Sequence, residues 1–99
     1  VKIDRLVVKS SGAPTLEVDH DAGVAYLRFR RGKVARTVPR GGSGAFVAID
    51  LDRSGDVLGV EIIGADVIEI HRILKRASVD APDVGFSRLR YRSTTPVAA

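Results

Sequence analysis

The chain has 99 residues, 44% of them hydrophobic, and 16 Lys and Arg against 12 Asp and Glu give a formal net charge of +4, the make-up of one small domain with a single modest core. It contains no cysteine, which excludes disulfides, thiolate metal sites and cysteine nucleophiles together. No apolar run approaches the roughly 20 residues of a bilayer span, and Val1-Lys2-Ile3-Asp4-Arg5 lacks the layout of a secretory leader, so no membrane association is expected and the expected compartment is the cytoplasm.

Val1 to Ser10 reads as a strand, with Leu6, Val7 and Val8 apolar, and Ser10-Ser11-Gly12-Ala13-Pro14 is loop chemistry. Thr15 to Val18 is a short extended segment, and Asp19-His20-Asp21-Ala22-Gly23 a turn whose aspartates bond local backbone amides. Val24 to Arg30 alternates, with Ala25, Leu27 and Phe29 on one face and Tyr26, Arg28 and Arg30 on the other. Arg31-Gly32-Lys33 fits a tight turn into a strand over Val34 to Val38, which Pro39 is expected to end. Arg40-Gly41-Gly42-Ser43-Gly44 is a flexible connector; it lacks the Gly-Lys-Ser/Thr ending of a phosphate loop and precedes a strand, not a helix.

Ala45 to Ile63 is the centre of the chain. Val47, Ile49 and Leu51 fall on one face of the first run, Leu58, Val60 and Ile62 on one face of the second, and the polar turn Asp52 to Asp56 lies between, the mark of a β-hairpin with one buried face. Beyond Gly64 the apolar period changes to three and four: Val67, Ile70, Ile73 or Leu74, and Ala77 form the stripe of a helix over Asp66 to Ala77. Asp66 and Glu69 are spaced as a capping box, and Arg72, Lys75 and Arg76 suit the far end of the helix dipole. Gly85 to Arg92 alternates as a last strand, which would set Arg88, Arg90 and Arg92 on one face.

Three stretches together, Asp19-x-Asp21-Ala22-x-x-Ala25-Tyr26-Leu27-x-Phe29, Gly32-Lys33-Val34-Ala35-Arg36-Thr37 and Ile49-Asp50-Leu51-Asp52-x-x-Gly55-x-Val57-x-Gly59-Val60-Glu61-Ile62, resemble the small prokaryotic family known as domain of unknown function 2283. The resemblance covers about Val18 to Glu69, with Val18 standing where the family often has Tyr. It implies a β-meander with a short helix and no established activity, and at most an antitoxin-like binding role. On this reading residues 1–99 form a single domain: an N-terminal extension over 1–16, the meander and helix over 18–77, and a C-terminal extension over 78–99.

Candidate chemistry is sparse. Asp50 to Glu61 spells the calcium-loop pattern D-x-D-x-S-G-x5-E, but such a loop joins two helices, and strand flanks would carry Glu61 away from the turn. Glu61 is expected to pair across strands with Arg28, Arg36 or an arginine of another copy, with Asp50 its only plausible carboxylate partner for catalysis. Asp19-His20-Asp21 could seat a metal or a proton-transfer site, but one histidine within a turn offers too few ligands, and His71 falls on the polar side of the helix. Neither cofactor nor metal is therefore expected, and no enzyme.

The charges fall in blocks. Arg28 to Arg40 is without an acid, Asp50 to Glu69 is mostly acidic, and basic residues return from Arg72 to Arg92. Complementary blocks suit self-association or an acidic partner. The expected fold is α+β, an antiparallel β-meander of four or five strands with one C-terminal helix packed on one face. The other face would carry Tyr26, Arg28, Arg30, Arg36, Asp50 and Glu61. The expected function is a non-catalytic, self-associating protein-interaction module, a dimer with room for a protein partner. The alternative is a nucleic-acid-associated regulator reading phosphates through its arginines, with Tyr26 and Tyr91 alone to stack on bases.

Overall fold

The computed structural model describes residues 5–40, 46–65 and 67–93. The fold is α+β, a mostly antiparallel sheet with one α-helix among the described residues. The chain runs β1 (Leu6–Val7), β2 (Thr15–Asp19), β3 (Val24–Arg28), β4 (Arg36–Arg40), β5 (Phe46–Leu51), β6 (Val57–Ile63), α1 (Ile70–Arg76), β7 (Val79–Asp80), a 3₁₀ turn (Phe86–Arg88) and β8 (Arg90–Ser93). Six strands form the main sheet in the order β4-β5-β6-β3-β2-β8, and β1 pairs with β7 in a separate parallel pair.

The central hairpin forms as its alternation dictates. Val47, Ile49 and Leu51 point inward from β5, and Val60 and Ile62 from β6. Between them Asp52 folds the turn: its N–H donates to the Asp56 carbonyl at 2.9 Å, while its Oδ1 accepts the amides of Ser54 at 2.9 Å and Asp56 at 3.0 Å. Gly55 supplies the left-handed residue that this turn needs, at φ 88°. Leu58 departs from the expected face. Asp50 pairs with Gly59 and Leu51 with Val57, so Leu58 is bulged out of register. It is buried apart from the main cluster, with its δ-carbons against Gly32.

One face of the sheet holds the core. Leu16, Val18, Ala25, Leu27 and Phe29 meet the hairpin residues there, and Val8, Leu74, Ala77 and Val79 close over them. Burying each such Val, Leu, Ile or Phe contributes about 1.5–3 kcal/mol, an upper estimate since the unfolded chain already hides some surface. Phe86 joins edge-on to Phe29, with ring centroids 6.3 Å apart. A left-handed Ser78, at φ 58°, ends the helix and sends the chain into β7.

Several elements differ from the sequence reading. The sheet has six strands, because Thr15–Asp19 is a full strand and β8 adds to it in parallel. Of the expected N-terminal strand, residues 1–4 lie outside the described residues, and Leu6–Val7 pairs with β7 instead of joining the main sheet. β4 starts at Arg36 after an irregular 31–35, and Pro39 lies inside it, opposite Ala48. An edge strand tolerates the missing N–H. The helix is shorter than expected, from Ile70 to Arg76, and Glu69 is its N-cap without a side-chain capping bond. Glu69 instead pairs with Arg72 at 3.4 Å, and Val67 is 73% exposed. Asp66, the other half of the expected capping box, lies outside the described residues, as do Gly41 to Gly44 of the connector.

Candidate functional site

The alternation that buries one face of the sheet sends Thr37, Asp50, Gly59, Glu61, Tyr26, Arg28, Thr15, Glu17, Arg90 and Arg92 to the other. A continuous polar relay crosses this outer face. Thr37 Oγ1 donates to Asp50 Oδ1 at 2.7 Å, and the Tyr26 hydroxyl donates to Asp50 Oδ2 at 2.9 Å. Arg28 lies over the Tyr26 ring, its Cζ 5.0 Å from the centroid, and its Nε donates to Glu17 Oε1 at 3.2 Å. The relay therefore links β4, β5, β3 and β2, passing above β6 where Gly59 offers no side chain. The Tyr26 ring fills that space. Burial, reinforced by the hydrogen bond to Asp50, pushes the Tyr26 hydroxyl well above its ordinary pKa of 10.0. Tyr26 is thus held neutral as a donor.

At the β8 side of this face lies a cleft of about 430 Å³ lined by Thr15, Glu17, Arg28, Arg30, Arg31, Arg90, Tyr91 and Arg92, with Ala13 and Phe29. Five guanidinium groups meet there with a single carboxylate. Arg28 is engaged by Glu17, and Arg30 by Asp52 of the hairpin turn. Among the described residues nothing pairs with the side chains of Arg31, Arg90 or Arg92, and all three are exposed. Asp52 is held below its usual carboxylate range, first by the Asp56 amide, then by the Ser54 amide and Arg30. Tyr91 alternates away from Arg90 and Arg92, and its hydroxyl shares a 3.1 Å hydrogen bond with His20 Nε2.

Of the residues singled out from the sequence, Tyr26, Arg28, Arg90 and Arg92 share the outer face, and Arg30 reaches the cleft from a bend just past β3. Two others correct the sequence reading. Arg36 is in register with the core-facing Leu51, so it points to the opposite side of the sheet. Arg88 sits in the 3₁₀ turn over Gly85, which breaks the expected stripe with Arg90 and Arg92. Glu61 stands beside Tyr26 on the outer face without an ion pair among the described residues, because Glu17 takes Arg28. Glu17 and Arg31 were missed. Glu17 alternates with the buried Leu16 and Val18, a signal that it faces outward; Arg31 carries none beyond adjacency to Arg30.

The aspartates of the calcium-loop pattern serve separate tasks. Asp50 joins the relay, Asp52 folds the turn, and Asp56 meets Lys9 at 3.3 Å. Among the described residues no three His, Asp or Glu side chains converge as a metal site. Asp19 behaves as expected, its Oδ1 accepting the amides of Asp21 and Ala22 at 3.1 Å each. His71 is exposed and meets the Phe86 ring edge-on, with centroids 4.8 Å apart. No helix among the described residues is long and apolar enough to cross a membrane. Comparison with protein-family models, with curated proteins and with solved structures finds no match.

Proposed function

We propose that this domain is a non-catalytic interaction module that recognises an acidic macromolecule through the arginine-lined cleft. The observation that carries this reading is the concentration of five guanidinium groups around one carboxylate, three of them with no partner among the described residues. Like charges gathered on one rigid surface repel one another in the free protein, and an anionic partner relieves that repulsion while drawing on guanidinium donors. Tyr26, the one strongly shifted group on the face, is a neutral donor already committed to Asp50, which suits a supporting role better than acid–base chemistry.

Retention on immobilised heparin tests this reading. The triple variant Arg31→Ser/Arg90→Ser/Arg92→Ser should elute at much lower salt than the parent. A control losing the same charge elsewhere, Arg36→Ser/Arg53→Ser/Lys75→Ser, should elute between the two. Equal loss in both triples would reduce the effect to net charge and refute the cleft as the binding surface.

A second reading, self-association into a dimer, draws on a different end of the same face. Phe46, Ile63 and Val24 stand in one row across β5, β6 and β3, with Phe46 44% and Ile63 37% exposed. A second copy packed on this row would remove it from water. Sedimentation at micromolar concentration should then give twice the chain mass, reverting to a monomer in Phe46→Asp; a parent that sediments as a monomer removes this reading.

A further inference from the structure

The cleft is built for more than unspecified negative charge, and its layout favours one kind of acidic chain. Arg90 and Arg92 extend from β8, Arg28 from β3 and Arg30 and Arg31 from the bend beyond it, so the charge runs across the strands. From β8 over β2 to β3 is two strand spacings, about 10 Å, and Arg90 and Arg92 lie roughly 6.6 Å apart along their own strand. An acidic peptide added along the edge of β8 would meet Arg90 and Arg92 but not Arg30 or Arg31. One laid across the face would find no backbone partner, since β2 is bonded on both sides, to β3 and to β8. A phosphodiester chain needs no such ladder. Its oxygens accept from guanidinium forks, and its charges repeat along a flexible strand.

Resting on the reading above, we propose that the acidic partner is a nucleic acid, whose sugar–phosphate backbone crosses the face from β8 to the bend after β3. Arg31, Arg90 and Arg92 contact phosphates directly, and Arg28 joins them when a phosphate displaces Glu17. Glu17 is an internal competitor within the cleft. Base identity is read little, because Tyr26 is covered by Arg28 and Tyr91 alternates away from the arginines.

The test is fluorescence anisotropy on the purified full chain with labelled single-stranded RNA, single-stranded DNA and duplex DNA, and with a labelled poly-glutamate chain of equal length as a fourth probe. Three phosphate contacts on a single strand give a slope of about −2 in log K against log salt, or a loss of about 20-fold between roughly 50 and 200 mM salt. Arg90→Gln and Arg92→Gln should each weaken binding several-fold. Glu17→Gln, which removes no positive charge, should tighten it and so reports on the cleft without depending on a damaged surface. Binding to any of the three nucleic acids with these responses supports the proposal, and the preferred probe identifies its form. If poly-glutamate binds through the same arginines and no nucleic acid does, the proposal falls while the acidic-partner reading stands. If neither binds, both fall.

Discussion

Replacing Gly59 by alanine places a methyl group where the Tyr26 ring now lies. The new Cβ would stand 2.6 Å from Tyr26 Cε2 and closer still to Cζ and the hydroxyl oxygen. The neighbouring backbone is held in the sheet between β5 and β3, so the ring must give way. In swinging out it loses its 2.9 Å bond to Asp50 and its stacking beneath Arg28. A hydrogen bond to a charged acceptor is worth about 1.5–3 kcal/mol, and an exposed cation–π contact about 0.5–1 kcal/mol. Against this, removing a glycine from a strand returns about 0.5–1 kcal/mol of backbone entropy. The net expectation is a loss of about 2 kcal/mol, or roughly 8–16 °C in melting temperature for a chain of this size. Urea unfolding followed by circular dichroism measures it, in the parent and in a Tyr26→Ala background. With the ring gone, Gly59→Ala should be neutral or mildly stabilising, which gives a coupling of about 2–3 kcal/mol between the two sites. The same cost in both backgrounds would refute the account of Gly59 as the seat of the tyrosine ring.

Two further predictions follow from the titrating groups. Because folding raises the Tyr26 pKa above 10.0, the folded state holds that proton more tightly than the unfolded one; the stabilisation is complete below pH 10 and declines as pH rises beyond it. Tyr26→Phe should flatten that alkaline decline in thermal melts, and the Tyr91→Phe variant should show little tyrosinate absorbance while still folded. Asp52 has the opposite sign: its pKa is lowered in the fold, so its contribution is present above the ordinary 3.8 and disappears as pH falls through the depressed value. Hydrogen exchange at the Ser54 and Asp56 amides, measured at neutral pH, should quicken selectively in Asp52→Ala and much less in Asp52→Asn, which keeps an acceptor oxygen.

Much of the fold was legible where pattern and partner agree. The inward residues of β5 and the alternation of β3 follow from period two, and Asp19 and Asp52 bond local amides as turn aspartates do. What escaped the pattern has separate causes. The bulge at Leu58 depends on the pairing partner, so three apolar residues at alternate positions do not reveal that one leaves the register. Ser78 ends the helix in a left-handed conformation that glycine or asparagine usually signals. The parallel docking of β8 is a long-range choice, and the four exposed residues of that strand carry no buried face to announce it. The cleft was half visible for the same reason. Alternation paired Arg90 with Arg92, but only tertiary packing brought Arg30 and Arg31 to them, and only the pairing of β2 with β3 placed Glu17 beside Arg28.

The parallel pairing of β2 and β8 also sets an order of events during synthesis. Thr15 and Arg90 are register partners although about 75 residues of chain separate them. At the usual 5–20 residues per second, a ribosome needs roughly 4–15 s to supply the second after the first. Throughout that interval β2 can pair with β3 while its other edge stays open, a template that a neighbouring nascent chain could take up. The hairpins can close early because their partners are near in sequence, whereas this last ladder must wait for a distant one. Two alternate arginines then stand on the new edge strand, so the step that assembles the cleft also closes the open edge of β2.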